Sequence, residues 1–310
     1  MPRMSTNPMK WSNKSVKQPS KFAIITIVYI PMLSGYWTNS LNILKTTINS
    51  IFENTEESFD FYVFDNNSCQ EVQMYLMDMY KKNKINYLFF SNENIGKAGA
   101  WNKIFASVNS EYVIYTDSDV LFKKDWLNSS MKIINEFDKV GMVSAYPAFR
   151  DMLNHCNTTL EDVCNDKSID VEQGDLISTK KINQYLHGLG RSIDYYDKYT
   201  DKVDTKISRN NISAFVSASH MQFLTTKKIL NTIFPIPEIS LMKESVSFLD
   251  DKINNSGFWR LSLTDFFVEH IGNSLELIKD DMLSIKDSNM FDRIFQNKRV
   301  RFLLKKINLY

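Results

Sequence analysis

Two carboxylates separated by a single residue, Asp117 and Asp119, follow directly on the apolar block Tyr112-Val-Ile-Tyr-Thr116. A short β-branched and aromatic run bounded by polar residues is the pattern of a buried strand, so both acids stand at its carboxyl end. In an open α/β sheet that edge is where ligands bind. Hard carboxylate oxygens held this close suit a divalent cation that also accepts phosphate oxygens, which is the chemistry of a diphosphate. A polar turn closing a strand would use the same residue types, so the motif takes its meaning from its surroundings.

Those surroundings hold further candidates. A second apolar run, Phe61-Tyr-Val-Phe64, ends in Asp65 and Asn66. The segment Gly96-Lys97-Ala-Gly99-Ala-Trp101-Asn102 follows a strand and opens a helix, whose amides and positive end would face the ligand edge. Near the far end, Val268-Glu-His270-Ile-Gly272 places one imidazole after an apolar run. Each has a plainer explanation: Asp65 as a cap or turn acid, Gly-x-x-Gly as helix packing, His270 as a structural residue.

In this order and spacing the chain resembles the family 2 glycosyltransferases of the GT-A fold, over roughly residues 21–275. That resemblance implies an enzyme moving a sugar from a nucleotide-diphosphate sugar, a UDP-sugar first of all, to an acceptor hydroxyl. The backbone around Val28 and Tyr29, with Asp65 and Asn66, would hold the base or ribose. Gly96, Lys97 and Asn102 would line the donor pocket, with Asn102 reaching the sugar or Asp117. Asp117 would stand near ribose and metal, Asp119 directly on Mg²⁺ or Mn²⁺, and His270 at the position of a third ligand. Inverting relatives carry an acidic pair about a dozen residues before a glycine; counting back from Gly257 lands near Glu244-Ser245. The second acid of the pair is missing there, so Glu244 is the first candidate for general base, with Asp250 and Asp251 next should the helix be shifted by one turn.

The resemblance thus implies a metal-dependent inverting transferase, in glycan or surface polysaccharide synthesis, with a glycan, lipid-linked or protein acceptor. A retaining transferase of the same fold and a sugar nucleotidyltransferase share the acids. The nucleotidyltransferase would carry a Gly-rich basic loop after its first strand, which Tyr29-Ile-Pro-Met-Leu-Ser-Gly35 does not match. A carbohydrate-binding or scaffold protein with a disabled base is the reading from another class.

Composition narrows the field in its own way. The 310 residues are 43% hydrophobic and carry a net charge of +1, enough to bury one enlarged domain or two, without a field that would favour nucleic acid. Three cysteines cannot all pair with one another and show no Cys-x-x-Cys spacing, which fits a reducing cytoplasm. Residues 1–20 read as a basic arm with no apolar core, unlike a signal peptide or membrane span. Residues 276–310 end in a basic, partly apolar stretch readable as a helix lying on the inner face of a membrane or packed on its own domain.

Phe22–Tyr29, Phe59–Phe64, Ile85–Phe90, 111–116 and Val140–Ala145 read as strands, alternating with helices near 41–51, 70–82, 97–109 and 126–134. This alternation predicts right-handed crossovers and an α/β fold with a mostly parallel, Rossmann-like sheet. Residues 150–212 read as a polar insertion with short elements, either shaping the acceptor side or riding on the surface. Beyond it, β-prone residues 212–224, two helices and a strand Phe258–Val268 complete the domain, with Ser219-His220 read as interior or acceptor-side residues.

Overall fold

The computed structural model describes residues 16–188, 202–238 and 242–272. The expected arm up to residue 15 and the C-terminal basic stretch, with Asn273, lie outside the described residues.

Strand β1 (Phe22–Val28) is buried almost throughout, as a strand covered on both faces must be. It pairs in parallel with β2 (Phe59–Asp65) on one side and β4 (Tyr112–Thr116) on the other, and β3 (Tyr87–Phe90) extends β2. The remaining strands of this sheet are β6 (Val140–Ser144), β7 (Asp170–Gly174), β8 (Asp204–Arg209), β9 (Ile212–Val216), β10 (Gln222–Thr226) and β11 (Trp259–Ser262). Its order is β3-β2-β1-β4-β10-β6-β11-β9-β8-β7. A separate two-stranded sheet joins β5 (Val120–Phe122) to β12 (Val268–His270).

Following the pairings outward from β1, only β7, β9 and β10 run against the others, so the sheet is mostly parallel as the alternation predicts. Period-two alternation along β1 sends Phe22, Ile24 and Val28 to one core layer and Ala23 and Ile25 to the other. The first layer receives α1 (Ser40–Asn54) through Leu44, Ile48 and Ile51, and α2 (Gln70–Lys81) through Val72 and Leu76; α4 (Trp126–Glu136) packs on the same side. The second layer receives α3 (Gly96–Ser107) through Ala98, Trp101, Ile104 and Phe105.

Three expectations are sharpened. Within the expected insertion 150–212, α5 (Asn157–Asn165) precedes strands β7 and β8, which join the main sheet, and α6 (Thr179–Gly188) lies between those strands in the chain. Short polar strands lack the unbroken apolar run that reveals a central one. The apolar stretch 212–224 divides into β9 and β10, and β10 enters antiparallel between β4 and β6. The expected strand 258–268 likewise divides, β11 staying in the main sheet while β12 leaves it to pair with β5. Helices α7 (Lys227–Ile233) and α8 (Met242–Asn255) cover the second layer through Leu230, Ile233, Leu249 and Ile253.

Candidate functional site

The registers Val28↔Asp65 and Thr26↔Thr116 bring the carboxyl ends of β1, β2 and β4 to one edge of the sheet. Antiparallel β10 starts there too, with Gln222 opposite Thr116, and the Met221 carbonyl accepts the Asp117 amide at 2.7 Å. The two aspartates therefore emerge on a loop pinned from both sides.

Their side chains face different partners. Asp117 Oδ1 accepts the Tyr115 hydroxyl at 2.5 Å and Lys97 Nζ at 2.7 Å. Burial, and then the Asp117 charge, push the Tyr115 hydroxyl well above its usual range, so it serves as a fixed donor. Lys97 Nζ also lies 5.1 Å and 5.2 Å from the ring centroids of Trp101 and Tyr115, within cation–π reach. Gly96, at φ +71°, permits the left-handed turn that starts α3 and aims Lys97 at this loop. Gly99 has an ordinary helical role, since a Cβ there would crowd Ile95 at 3.2 Å.

Asp119 faces His270. The β5–β12 register sets His270 opposite Val120, and the Ile271 amide donates to the Asp119 carbonyl at 2.9 Å. Asp119 Oδ2 then sits 3.3 Å from His270 Nε2, both side chains roughly a quarter exposed. Burial by itself would raise the Asp119 carboxyl, but the His270 charge and hydrogen bond, with Lys97 behind them, hold it below its usual range.

These two groups fit a divalent cation. Adjacent ligands about 2.1 Å from an octahedral ion stand roughly 3 Å apart, close to the oxygen–nitrogen separation found here. The described residues contain no group of three or more metal-binding side chains. The set therefore suits an ion completed by diphosphate oxygens and water, and Asp117, tied to Lys97, stands apart from the pair that sequence placed it with.

Elsewhere the predicted donor residues are engaged in holding the edge together. Asp65 is fully buried and accepts the Ser68 amide at 3.2 Å and Gln73 Nε2 at 2.9 Å, so its carboxylate closes the turn into α2. The Val28 carbonyl accepts the Asn66 amide at 2.8 Å, and the Asn66 side chain clamps the next loop by accepting from Ile95 N and donating to Asn94. Tyr29, 41% exposed, is the member of this group that opens to solvent. Asn102 does not reach Asp117: its side chain donates to the Ile236 carbonyl at 2.8 Å and accepts the Ile236 amide at 2.9 Å. Both groups of a backbone peptide matched by one carboxamide is a docking contact, invisible in sequence because its partner lies 134 residues away. Trp101 and Trp259 are buried in the core.

The three candidate bases separate by face. Glu244 is exposed on the first turn of α8. Asp251 is also exposed, with its Oδ1 2.6 Å from His155 Nδ1. Asp250 turns inward, 3% exposed, with Oδ2 at 2.6 Å from His220 Nε2 and 2.9 Å from Arg260 Nη2. His220 stands one residue before Met221, whose carbonyl holds the Asp117 amide, so this acid is linked to the same edge. Sequence placed Ser219-His220 inside the apolar stretch 212–224 as interior or acceptor-side residues, without an acid for a partner. Cys156 is buried, Cys164 exposed, and neither joins a metal set among the described residues.

Residues 37–198, more than half the chain, match the family described as glycosyl transferase family 2. An uncharacterized glycosyltransferase of Rickettsia conorii is 27% identical over 123 residues, which is 40% of this chain and 18% of that protein. One of Rickettsia bellii is 26% identical over the same length, covering 16% of its own. The chain thus spans less than a fifth of the curated relatives it matches. Among solved structures, a Pyrobaculum calidifontis mannosyltransferase in complex with GDP-Man and Mn²⁺ aligns with TM-score 0.48 at 16% identity, covering 83% of this chain and 60% of that one. GalNAc-T7 with UDP, GalNAc and Mn²⁺ aligns with TM-score 0.47 at 11% identity, covering 80% and 43%.

Proposed function

The chain belongs to glycosyl transferase family 2, and from that membership we propose that it transfers a sugar from a nucleotide-diphosphate sugar to an acceptor hydroxyl, with a divalent cation and inversion at the anomeric carbon. The observation that carries this reading is the Asp119–His270 pair, 3.3 Å apart at the carboxyl edge of the sheet. Asp119 and His270 would hold Mg²⁺ or Mn²⁺, which supplies neutralisation of the charge developing on the departing diphosphate. Imidazole favours Mn²⁺ of the two.

The chain's own residues do the rest. Lys97, in the first turn of α3 beside Asp117, adds a second positive charge at the edge where a diphosphate would lie. The exposed ring of Tyr29 and the backbone at the ends of β1 and β2 offer a surface for the base and ribose. Acceptor activation falls to the acid segment Glu244–Asp251, in which Asp250 faces the sheet. The acceptor would be a glycan, a lipid-linked sugar or a protein hydroxyl, as in surface polysaccharide assembly on the cytoplasmic side. Among the described residues no helix is long and apolar enough to cross a membrane.

Thermal unfolding with UDP-, GDP-, CMP- and dTDP-sugars, each with and without Mn²⁺, tests donor class and metal together, because a ligand bound to the native state raises the melting point. A Mn²⁺-dependent rise with one nucleotide class is expected. Equal rises without metal would remove the cation from the reading, and proton NMR of the first-formed product anomer checks inversion.

A further inference from the structure

We infer that His220, oriented by Asp250, is the catalytic group that takes the proton from the acceptor, and that Asp250 is its positioning residue. The inference rests on the glycosyl-transfer reading above and names the group that the acid segment alone leaves unassigned.

Three observations converge. First, the three acids are held differently: Glu244 is exposed on the first turn of α8, Asp251 is exposed but already engaged by His155, and Asp250 is almost enclosed. Second, His220 is fixed yet reachable: Nε2 lies 2.6 Å from Asp250 Oδ2, the side chain is 24% exposed, and Nδ1 makes no hydrogen bond among the described residues. A carboxylate that accepts from Nε2–H leaves Nδ1 with its lone pair, the tautomer a general base requires. Third, the segment is built to hold still. The Ser217 amide donates to the Arg260 carbonyl at 2.7 Å, Arg260 Nη2 donates to the Ala218 carbonyl at 2.8 Å, and the Ser219 amide donates to Ser144 Oγ at 3.1 Å. The fully buried Arg260 guanidinium also meets Asp250 at 2.9 Å, so the carboxyl that faces the imidazole is itself fixed in place.

Because the Met221 carbonyl anchors the Asp117 amide, His220 lies one residue along the chain from the backbone that holds the aspartate loop. In the step proposed, the acceptor oxygen bonds to the anomeric carbon while its proton passes to His220 Nδ1. The bond from that carbon to the diphosphate oxygen breaks, and its electron pair leaves with the nucleoside diphosphate. The imidazolium is then stabilised by Asp250 until the proton returns to water.

Water can occupy the acceptor position, so the test is Mn²⁺-dependent nucleotide release from UDP-GlcNAc, UDP-glucose, GDP-mannose and dTDP-glucose by the full chain. His220→Ala should lower kcat about a hundredfold with KM for the donor within about twofold, and added imidazole should restore at least a tenfold gain. Asp250→Asn should lose kcat similarly, without rescue. His220→Ala at the wild-type rate, or a loss carried in KM and untouched by imidazole, would overturn the assignment. Absence of release by the wild type itself would instead strike the glycosyl-transfer reading, and this assignment with it. Nitrogen-15 NMR of histidine, with His220→Ala identifying the resonance among four histidines, gives a readout independent of turnover. Protonated Nε2 with bare Nδ1 is expected, and the opposite tautomer would overturn the inference.

Discussion

Replacing Asp117 and Asp119 separately should give two different phenotypes, although the sequence presents them as one motif. In Asp117→Ala the Tyr115 hydroxyl, in a residue 1% exposed, loses its acceptor, and an unsatisfied buried group costs about 1–3 kcal/mol. Lys97 loses its anion as well; at 13% side-chain exposure it keeps some water and its two aromatic faces, so its share is taken as about 1 kcal/mol. The sum is about 3 kcal/mol, a fall of roughly 5 °C in Tm for a chain of 310 residues. Asp119→Ala removes only a partly exposed contact to His270 and should cost less than about 1 kcal/mol. Urea unfolding of both variants measures the contrast. A double-mutant cycle with Tyr115→Phe isolates the cause: without the hydroxyl there is nothing to orphan, so the pair should couple by about 1–3 kcal/mol. If the two substitutions add within about 0.3 kcal/mol, or if both aspartates cost the same, the hydroxyl contact is not what holds Asp117 and the reasoning fails.

Other outcomes follow from the same contacts. Asp119→Ala, while folded, should lower Mn²⁺-dependent nucleotide release by at least about a hundredfold, and full activity would exclude a metal role for it. Asn102→Ala should cost about 2–3 kcal/mol by freeing both backbone groups of Ile236, with nucleotide affinity unchanged in titration calorimetry; weakened affinity at unchanged stability would return Asn102 to the donor pocket. Asp162 is held below its usual range by the Lys139 hydrogen bond and then by that of Trp259. A depressed carboxyl contributes stability above its unfolded value of about 4, lost as pH falls through the lower folded value, so wild type should outlast Asp162→Asn near neutrality and lose that margin below about pH 4. Denaturant midpoints of both proteins across that range check the sign.

Much of the fold lay open in the sequence because central strands announce themselves. Phe22–Val28 and Tyr112–Thr116 are apolar on both faces, and a strand needs such a run only when helices cover both sides. The amphipathic spacing of Leu44, Ile48 and Ile51 likewise follows from one buried face. Strand β7, largely exposed at the sheet edge, and its neighbour β8, which mixes polar with apolar residues, carry no such mark. For the site, the aspartates and His270 could be placed from sequence after apolar runs, whereas the internal hydrogen bonds of Asn102 and Asp65 could not, because their partners are set by the folded chain.

The sequence by itself determined the alternation of strands and helices, the family resemblance and which residue types crowd the carboxyl edge, because hydrophobic period and local spacing are properties of short segments. Only the tertiary structure decided which of those residues meet. Strand β12 leaving the main sheet to pair with β5 brings His270 to Asp119, and the segment leading into antiparallel β10 sets His220 against Asp250. Such meetings depend on register between segments tens to hundreds of residues apart, and a one-residue slip in either ladder would turn the side chain to the opposite face.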